Sequence, residues 1–326
     1  MGNAVICSTG SYLPETVVGN EEMTQFPDDA IHMIGEKTGV FYRRIASDTE
    51  CTSDLAIRSA MDCLDKIGFP PEQIDGILLA TSSPDRMQPA TATRVQYIIG
   101  AKKAFAFDIN SVCSGSTFGI AMADALIKSG YCENILLIAS EVYSKIMNPK
   151  DFSSYPFFGD GSGAVLLQAG NSPAKGVLHS CLRTDGSGSD TISVPAGGTM
   201  MPYAKMTNDR LAFFKMKGIQ VFNFAVEKGP EIIRELLKEA DVSINEIKSF
   251  ICHQANVNII HKIAKALDVS TDRFFVNLSL YGNTAGASVL VALDEAISQG
   301  VIVKNDLVVT VAFGGGLSWG ANLICI

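Results

Sequence analysis

The chain has 326 residues and a mass of 34.8 kDa, which at roughly 100–200 residues per domain predicts about two domains. With 47% hydrophobic and 18% charged residues, the composition excludes the disordered, collagen-like and coiled-coil classes. Acidic residues outnumber basic ones 34 to 26 and the pI is near 5.1. That balance offers no counterion-releasing basic face, so no nucleic-acid partner is expected, and an anionic partner would need a local basic patch.

No apolar run approaches the roughly 20 residues that span a bilayer; the strongest, at residues 135–139, has the length of a strand. The opening MGNAVICSTGSYLPE lacks a charged stretch followed by a long apolar one, so a soluble, cytoplasmic protein with no membrane contact is expected. Short β-rich segments follow in chain order at 76–80, 104–109, 135–139, 164–167, 250–252, 274–277 and 307–313. Amphipathic patterns of helix length lie at 53–67, 115–129, 229–240, 258–267 and 285–298, and this alternation predicts α/β layers. Eight cysteines, at 7, 51, 63, 113, 132, 181, 252 and 325, form no C-x-x-C pair and no Cys/His cluster at zinc-finger spacing. Neither a disulfide framework nor a metal is expected, and each thiol reads first as a small buried apolar residue in a reducing compartment.

The two parts of the chain also resemble each other. CSGSTFGIAMADALIKSG at 113–130 aligns without gaps on NTAGASVLVALDEAISQG at 283–300. QIDGILLAT corresponds to EIKSFICHQ, ENILLIAS to KNDLVVTVAF, and GAVLLQ to GANLICI. These matches predict a duplicated unit, with halves 1–171 and 172–326 joined near Asn171. The gapless match sets Cys113 and Asn283 at equivalent places.

Cys113, in NSVCSGS, follows an apolar strand and opens a helix. A thiol there lies beside unsatisfied N–H groups and the positive end of the helix dipole, which lowers its pKa and suits it as an acyl-accepting nucleophile; plain packing is the competing reading. His253 stands where the strand SFIC opens into a loop, a position that aims side chains into crevices, although a hydrogen-bonded structural histidine fits equally. Asn283, in YGNTAGAS, reads as a turn residue but for the repeat. GDGSGAV at 159–165 matches no nucleotide phosphate loop. Three glycines after Phe313 allow either a tight turn or a close backbone approach with an N–H aimed at an oxyanion.

Together VCSG, ICHQAN, YGNTAGAS, GDGSGAV and AFGGGLSWGANL resemble, in order and over essentially the whole chain, the β-ketoacyl-acyl-carrier-protein synthase III family of condensing enzymes. The resemblance implies a thiolase fold, five αβαβα layers built from two duplicated halves, in a homodimer. It implies a decarboxylative Claisen condensation of an acyl primer, carried on Cys113, with a malonyl-thioester. His253 and Asn283 would hold the malonyl carbonyl, and the N–H groups of Cys113 and Gly315 the tetrahedral oxyanion. Coenzyme A or phosphopantetheine thioesters are implied as substrates, acyl carrier protein as a partner, and no metal or redox cofactor.

Some positions match the family and others depart from it. Gly218 and Asn256 match positions along the pantetheine channel, and Lys265 remains from a carrier-docking set in which Asn223 and Asn258 replace basic residues, with Lys262 nearby. Met33 and Phe152 stand where acetyl-CoA-primed members hold adenine between Trp and Arg, leaving at most an apolar clamp. Gln88 replaces a Phe that closes the acyl pocket across the dimer, and Ser116 a bulky residue three places after the nucleophile. A longer or polar-ended primer is thereby suggested. The alternatives are a condensing enzyme of specialised metabolism, quinolone-type or polyketide, toward which EVYSKIM points, and an acyltransferase of the same fold with a non-acetyl primer. A binding module with an inert Cys113 is a further class.

Overall fold

The computed structural model describes residues 2–326. The first half contains β1 (Ala4–Tyr12), β2 (Thr16–Gly19), α1 (Asp28–Thr38), β3 (Tyr42–Ile45), α2 (Thr52–Asp65), β4 (Gly76–Ala80), α3 (Thr91–Ile99), β5 (Phe105–Ile109), α4 (Gly115–Lys128), β6 (Asn134–Glu141) and β7 (Gly161–Ala169). The second contains β8 (Gly176–Thr184), β9 (Ile192–Ser193), β10 (Lys215–Met216), α5 (Gly218–Glu239), β11 (Ile247–Cys252), α6 (Val257–Leu267), α7 (Leu278–Tyr281), α8 (Ser288–Ser298), β12 (Leu307–Gly314) and β13 (Ser318–Cys325).

The two main sheets have the orders β1-β7-β6-β4-β5 and β8-β13-β12-β11. In each, one parallel pair (β4 with β6, β11 with β12) is extended by two antiparallel neighbours. β4, β6, β7 and β1 therefore correspond to β11, β12, β13 and β8, the duplication legible in the sequence. The fifth strand is not repeated. The segment 274–277, expected as a strand, makes a single bridge from Phe274 to Phe250. Beyond it the buried Gln254 side chain donates to the Phe275 carbonyl (3.1 Å) and accepts from the Asn277 N–H (3.2 Å), taking the groups a ladder would use.

α2 and α3 cover the outer face of the first sheet, and α5 with α6 cover that of the second. α4 and α8 lie between the sheets and touch both, completing the αβαβα stack. Their chemistry fits the middle layer: Val289 to Leu293 are at most 2% exposed, as a helix apolar all round must be. α5 begins eleven residues before the expected start at 229, because Gly229-Pro230 reads as a helix opening yet lies inside the helix. Gly229 is there for contact: a Cβ would lie 2.7 Å from Ile263 Cδ1 on α6.

Candidate active site

Cys113 lies in a turn, Val112–Ser114, that leads from β5 into α4. Val112 adopts φ 48°, and the corresponding turn before α8 begins with Ala285 at φ 46°. At the helix starts, then, the backbone pairs Cys113 with Gly286, and Asn283 lies just upstream of the equivalent turn. The gapless match misses this because α8 has 11 residues and α4 has 14. A Cβ on Gly286 would approach Val112 O and Glu141 Oε1 at 3.0 Å each, so the two helix starts meet there.

His253 extends β11 by one residue, its N–H donating to Val311 O at 2.8 Å. Its Nδ1 is 2.7 Å from Ser288 Oγ, which also accepts from the Gln254 N–H at 3.3 Å. In the tautomer where the Ser288 hydroxyl donates to Nδ1, the imidazole proton sits on Nε2. Burial lowers the His253 pKa to about 4, so the ring is neutral at neutral pH. Asn283 is held by its backbone, N–H to Phe157 O (2.8 Å) and O from the Gly159 N–H (3.1 Å). Its Oδ1 accepts from the Ala285 N–H at 2.9 Å, leaving Nδ2 as a donor.

These three side chains line one cavity of about 270 Å³. Gly218 and Asn256 line it too, with Lys37 and Thr38, as do Phe157, Phe158, Phe214 and Phe313. Around Cys113 the wall is apolar and aromatic: Tyr143 stacks on Phe158 (5.1 Å, 4°) and both meet Phe214 edge-on. Gly314 passes so close that a Cβ would sit 2.9 Å from Cys113 N. Gly315 is buried beside Val112 and Ile192, and among the described residues no backbone or side-chain acceptor takes its N–H.

The expected lowering of the Cys113 pKa at the helix start is outweighed. Burial, followed by the charge of Glu141, holds the thiol well above its usual range, with its own backbone N–H pulling the other way. Glu141, the acid that ends the apolar run of β6, is fully buried and takes hydrogen bonds from the Ser82 and Ser83 N–H and hydroxyl groups and from the Thr81 hydroxyl. Burial nonetheless pushes its carboxyl up to about 7. Its position at a strand end was the one available signal; Ser288 offered none.

Other expected residues lie elsewhere. Met33 is exposed on α1, and Gln88 is exposed in the loop before α3. Phe152 packs edge-on against Phe26 (5.1 Å) and Phe157 (6.3 Å). None of the three lines the cavity. Ser116 is buried in α4 outside the lining, its hydroxyl without a partner. Asn258 donates to Lys37 O at 2.7 Å and so ties α6 to α1. The GDGSGAV stretch is a brace: a Cβ on Gly159 would lie 2.2 Å from Tyr281 O, and buried Asp160 accepts from the Ala46 and Ser144 N–H groups.

Residues 107–186 match the family described as 3-oxoacyl-[acyl-carrier-protein (ACP)] synthase III, and residues 237–326 match its C-terminal part. The β-ketoacyl-[acyl-carrier-protein] synthase III of Clostridium acetobutylicum is 38% identical over 324 residues, 99% of each chain. That of Caldanaerobacter subterraneus is 40% identical over 322 residues, covering 98% of this chain and 97% of the relative. This chain belongs to the β-ketoacyl-acyl-carrier-protein synthase III family. It is thus an acyltransferase-type condensing enzyme with the thiolase fold. The crystal structure of the Aquifex aeolicus synthase III superposes with a TM-score of 0.90 at 35% identity, over 99% of this chain and 100% of that one. Among the described residues no helix is long and apolar enough to cross a membrane.

Proposed function

We propose that this synthase III joins an acyl primer to a malonyl-thioester by decarboxylative Claisen condensation, with Cys113 as nucleophile and His253 and Asn283 as the malonyl-carbonyl donors. The observation that carries the reading is the convergence on one cavity of a thiol, an imidazole that burial keeps neutral and that lies 2.7 Å from the Ser288 hydroxyl, and an amide whose oxygen is already engaged. Cys113 sulfur attacks the primer thioester; its proton leaves with the departing thiolate of coenzyme A or carrier. The malonyl C–COO⁻ bond then breaks to CO2, and its electron pair forms an enolate whose oxygen accepts from His253 and Asn283. The enolate carbon attacks acyl-Cys113. The N–H groups of Cys113 and Gly315 take the oxyanion, a donor type worth about 3–4 kcal/mol, and collapse releases the Cys113 thiolate, which takes a proton from solvent.

The halves 1–171 and 172–326 divide this work, the first supplying the nucleophile and the second the two donors. The channel past Gly218 and Asn256 suits a pantetheine arm, and the apolar wall at Cys113 suits an apolar acyl group. Acyl carrier protein is the expected partner and the cytoplasm the expected compartment. Homodimerisation is supported by β5, an open sheet edge with Phe107 37% exposed, close in sequence to exposed Tyr97 and Ile98, since unpaired apolar edges are covered in native assemblies. The test separates half-reactions. Cys113→Ala is expected to abolish acyl-enzyme, while His253→Ala and Asn283→Ala keep acylation and lose CO2 release from malonyl-thioester by about 100-fold or more. Equal acylation defects in all three variants would contradict this division.

A further inference from the structure

Away from the cavity, three side chains of different chemistry meet on the outer side of the second sheet. His179 and Cys181 alternate on β8, an edge strand, so a two-residue step turns both to one face. The pairing of β8 with β13 slips between Leu323↔His179 and Ile324↔Val177. Val177 accordingly packs in the central layer, while Cys181 packs with α5 and α6. Glu239, the last residue of α5, closes the group: its Oε2 lies 2.8 Å from His179 Nε2 and 3.5 Å from Cys181 Sγ. One turn earlier, Glu235 pairs with Arg183 on the same face of β8, so that arginine is occupied one step away.

We propose that His179, Cys181 and Glu239 form a binding site for a borderline-soft divalent cation, with Zn2+ the best match. The three donor atoms lie within 4.8 Å of one another. Tetrahedral zinc with bonds of about 2.0–2.2 Å to nitrogen and oxygen and about 2.3 Å to sulfur sets its donors roughly 3.3–3.6 Å apart. The Cys181–Glu239 edge, at 3.5 Å, already has that length and the His179–Cys181 edge is within 4.8 Å; the His179–Glu239 edge, at 2.8 Å, must open by about half an ångström. Both of these side chains have the freedom to do so, at 34% and 48% exposed, while Cys181, 2% exposed, forms the fixed floor. Thiolate and imidazole select against Mg2+ and Ca2+, which take oxygen donors. On binding, the cation replaces the Cys181 thiol proton, which passes to solvent, and the His179–Glu239 hydrogen bond opens. His179 and Cys181 stand two residues apart in the sequence, and the third ligand comes from 58 residues beyond Cys181. None of the three lines the catalytic cavity, so occupancy pins the end of α5 to β8 and leaves condensation unchanged.

Titration of the metal-free full chain with Co2+ tests the site. The expected result is a thiolate-to-cobalt charge-transfer band that saturates at one equivalent per chain and is displaced by Zn2+. The band is lost in Cys181→Ser, kept in Cys113→Ala, and in Glu239→Gln, altered at an exposed helix end, needs about 10-fold or more Co2+. Absence of the band in the wild type, its survival in Cys181→Ser, or its loss in Cys113→Ala would overturn the proposal.

Discussion

In the proposed reaction Ser288 positions His253: its hydroxyl, by donating to Nδ1, keeps the imidazole proton on Nε2, from which the ring can donate to a malonyl carbonyl. Removing its hydroxyl takes away one neutral hydrogen bond, worth about 1 kcal/mol. Ser288→Ala is therefore expected to slow decarboxylation roughly fivefold while acylation of Cys113 is unchanged, as separate half-reaction assays would show. Burial also makes His253 a pH-dependent element of stability. Its pKa falls from 6.5 to about 4 on folding, so between these values the unfolded chain binds more protons. Stability from this group is complete above about 6.5 and is lost as pH falls toward about 4, a change of about 3 kcal/mol. Glu141, raised from 4.5 to about 7, acts in the opposite sense over nearly the same range. The difference in unfolding free energy between wild type and His253→Gln isolates the imidazole, and is expected to move by about 3 kcal/mol in favour of the variant from pH 7 to pH 4. A flat difference would refute the assignment.

At the scale of elements, the sheets and the helices that cover them approach by way of glycines. Gly163 on β7 sits against α8, where a Cβ would lie 2.6 Å from Leu290 Cβ and 2.7 Å from Val291 N. Gly163→Ala is expected to cost about 1–3 kcal/mol by overpacking, measured by denaturant unfolding, whereas Gly186→Ala, with open space around it, should stay within about 0.5 kcal/mol. The three side chains that the structure brings to one cavity were legible because chain punctuation marks them: an apolar strand, then a small-residue turn, then a helix. The repeat was legible because helices and strands recur at nearly constant spacing. α3, only nine residues long with the β-branched run TATRVQYII, and α1, with few apolar residues in DDAIHMIGEKT, were too short or too polar to stand out as helices. The FFVN segment has strand propensity, but its pairing was pre-empted by Gln254, a contact between residues more than twenty apart. Burial of Cys113 and the surroundings of Glu141 are likewise properties of packed layers, which no local pattern reports.

For the whole molecule, the central-layer helices bring one sequence turn from each half to a shared cavity, so neither half holds the chemistry alone. In the proposed function an acidic carrier would meet this chain, at net charge -8, through local cations, for which Lys37 at the cavity and exposed Lys262 and Lys265 on α6 are the candidates. Asn223 and Asn258 contribute no charge there, and Asn258 is occupied with Lys37 O. The most direct measurement of the central claim is intact-protein mass spectrometry. The protein is incubated with acetyl, branched, medium-chain, dicarboxylic and aromatic acyl thioesters of coenzyme A and of carrier protein, and malonyl-thioester is then added. The expected result is a single acyl adduct on Cys113 that is discharged by malonyl-thioester with release of CO2. An adduct on any other residue, or one on Cys113 that malonyl-thioester leaves in place, would contradict the account.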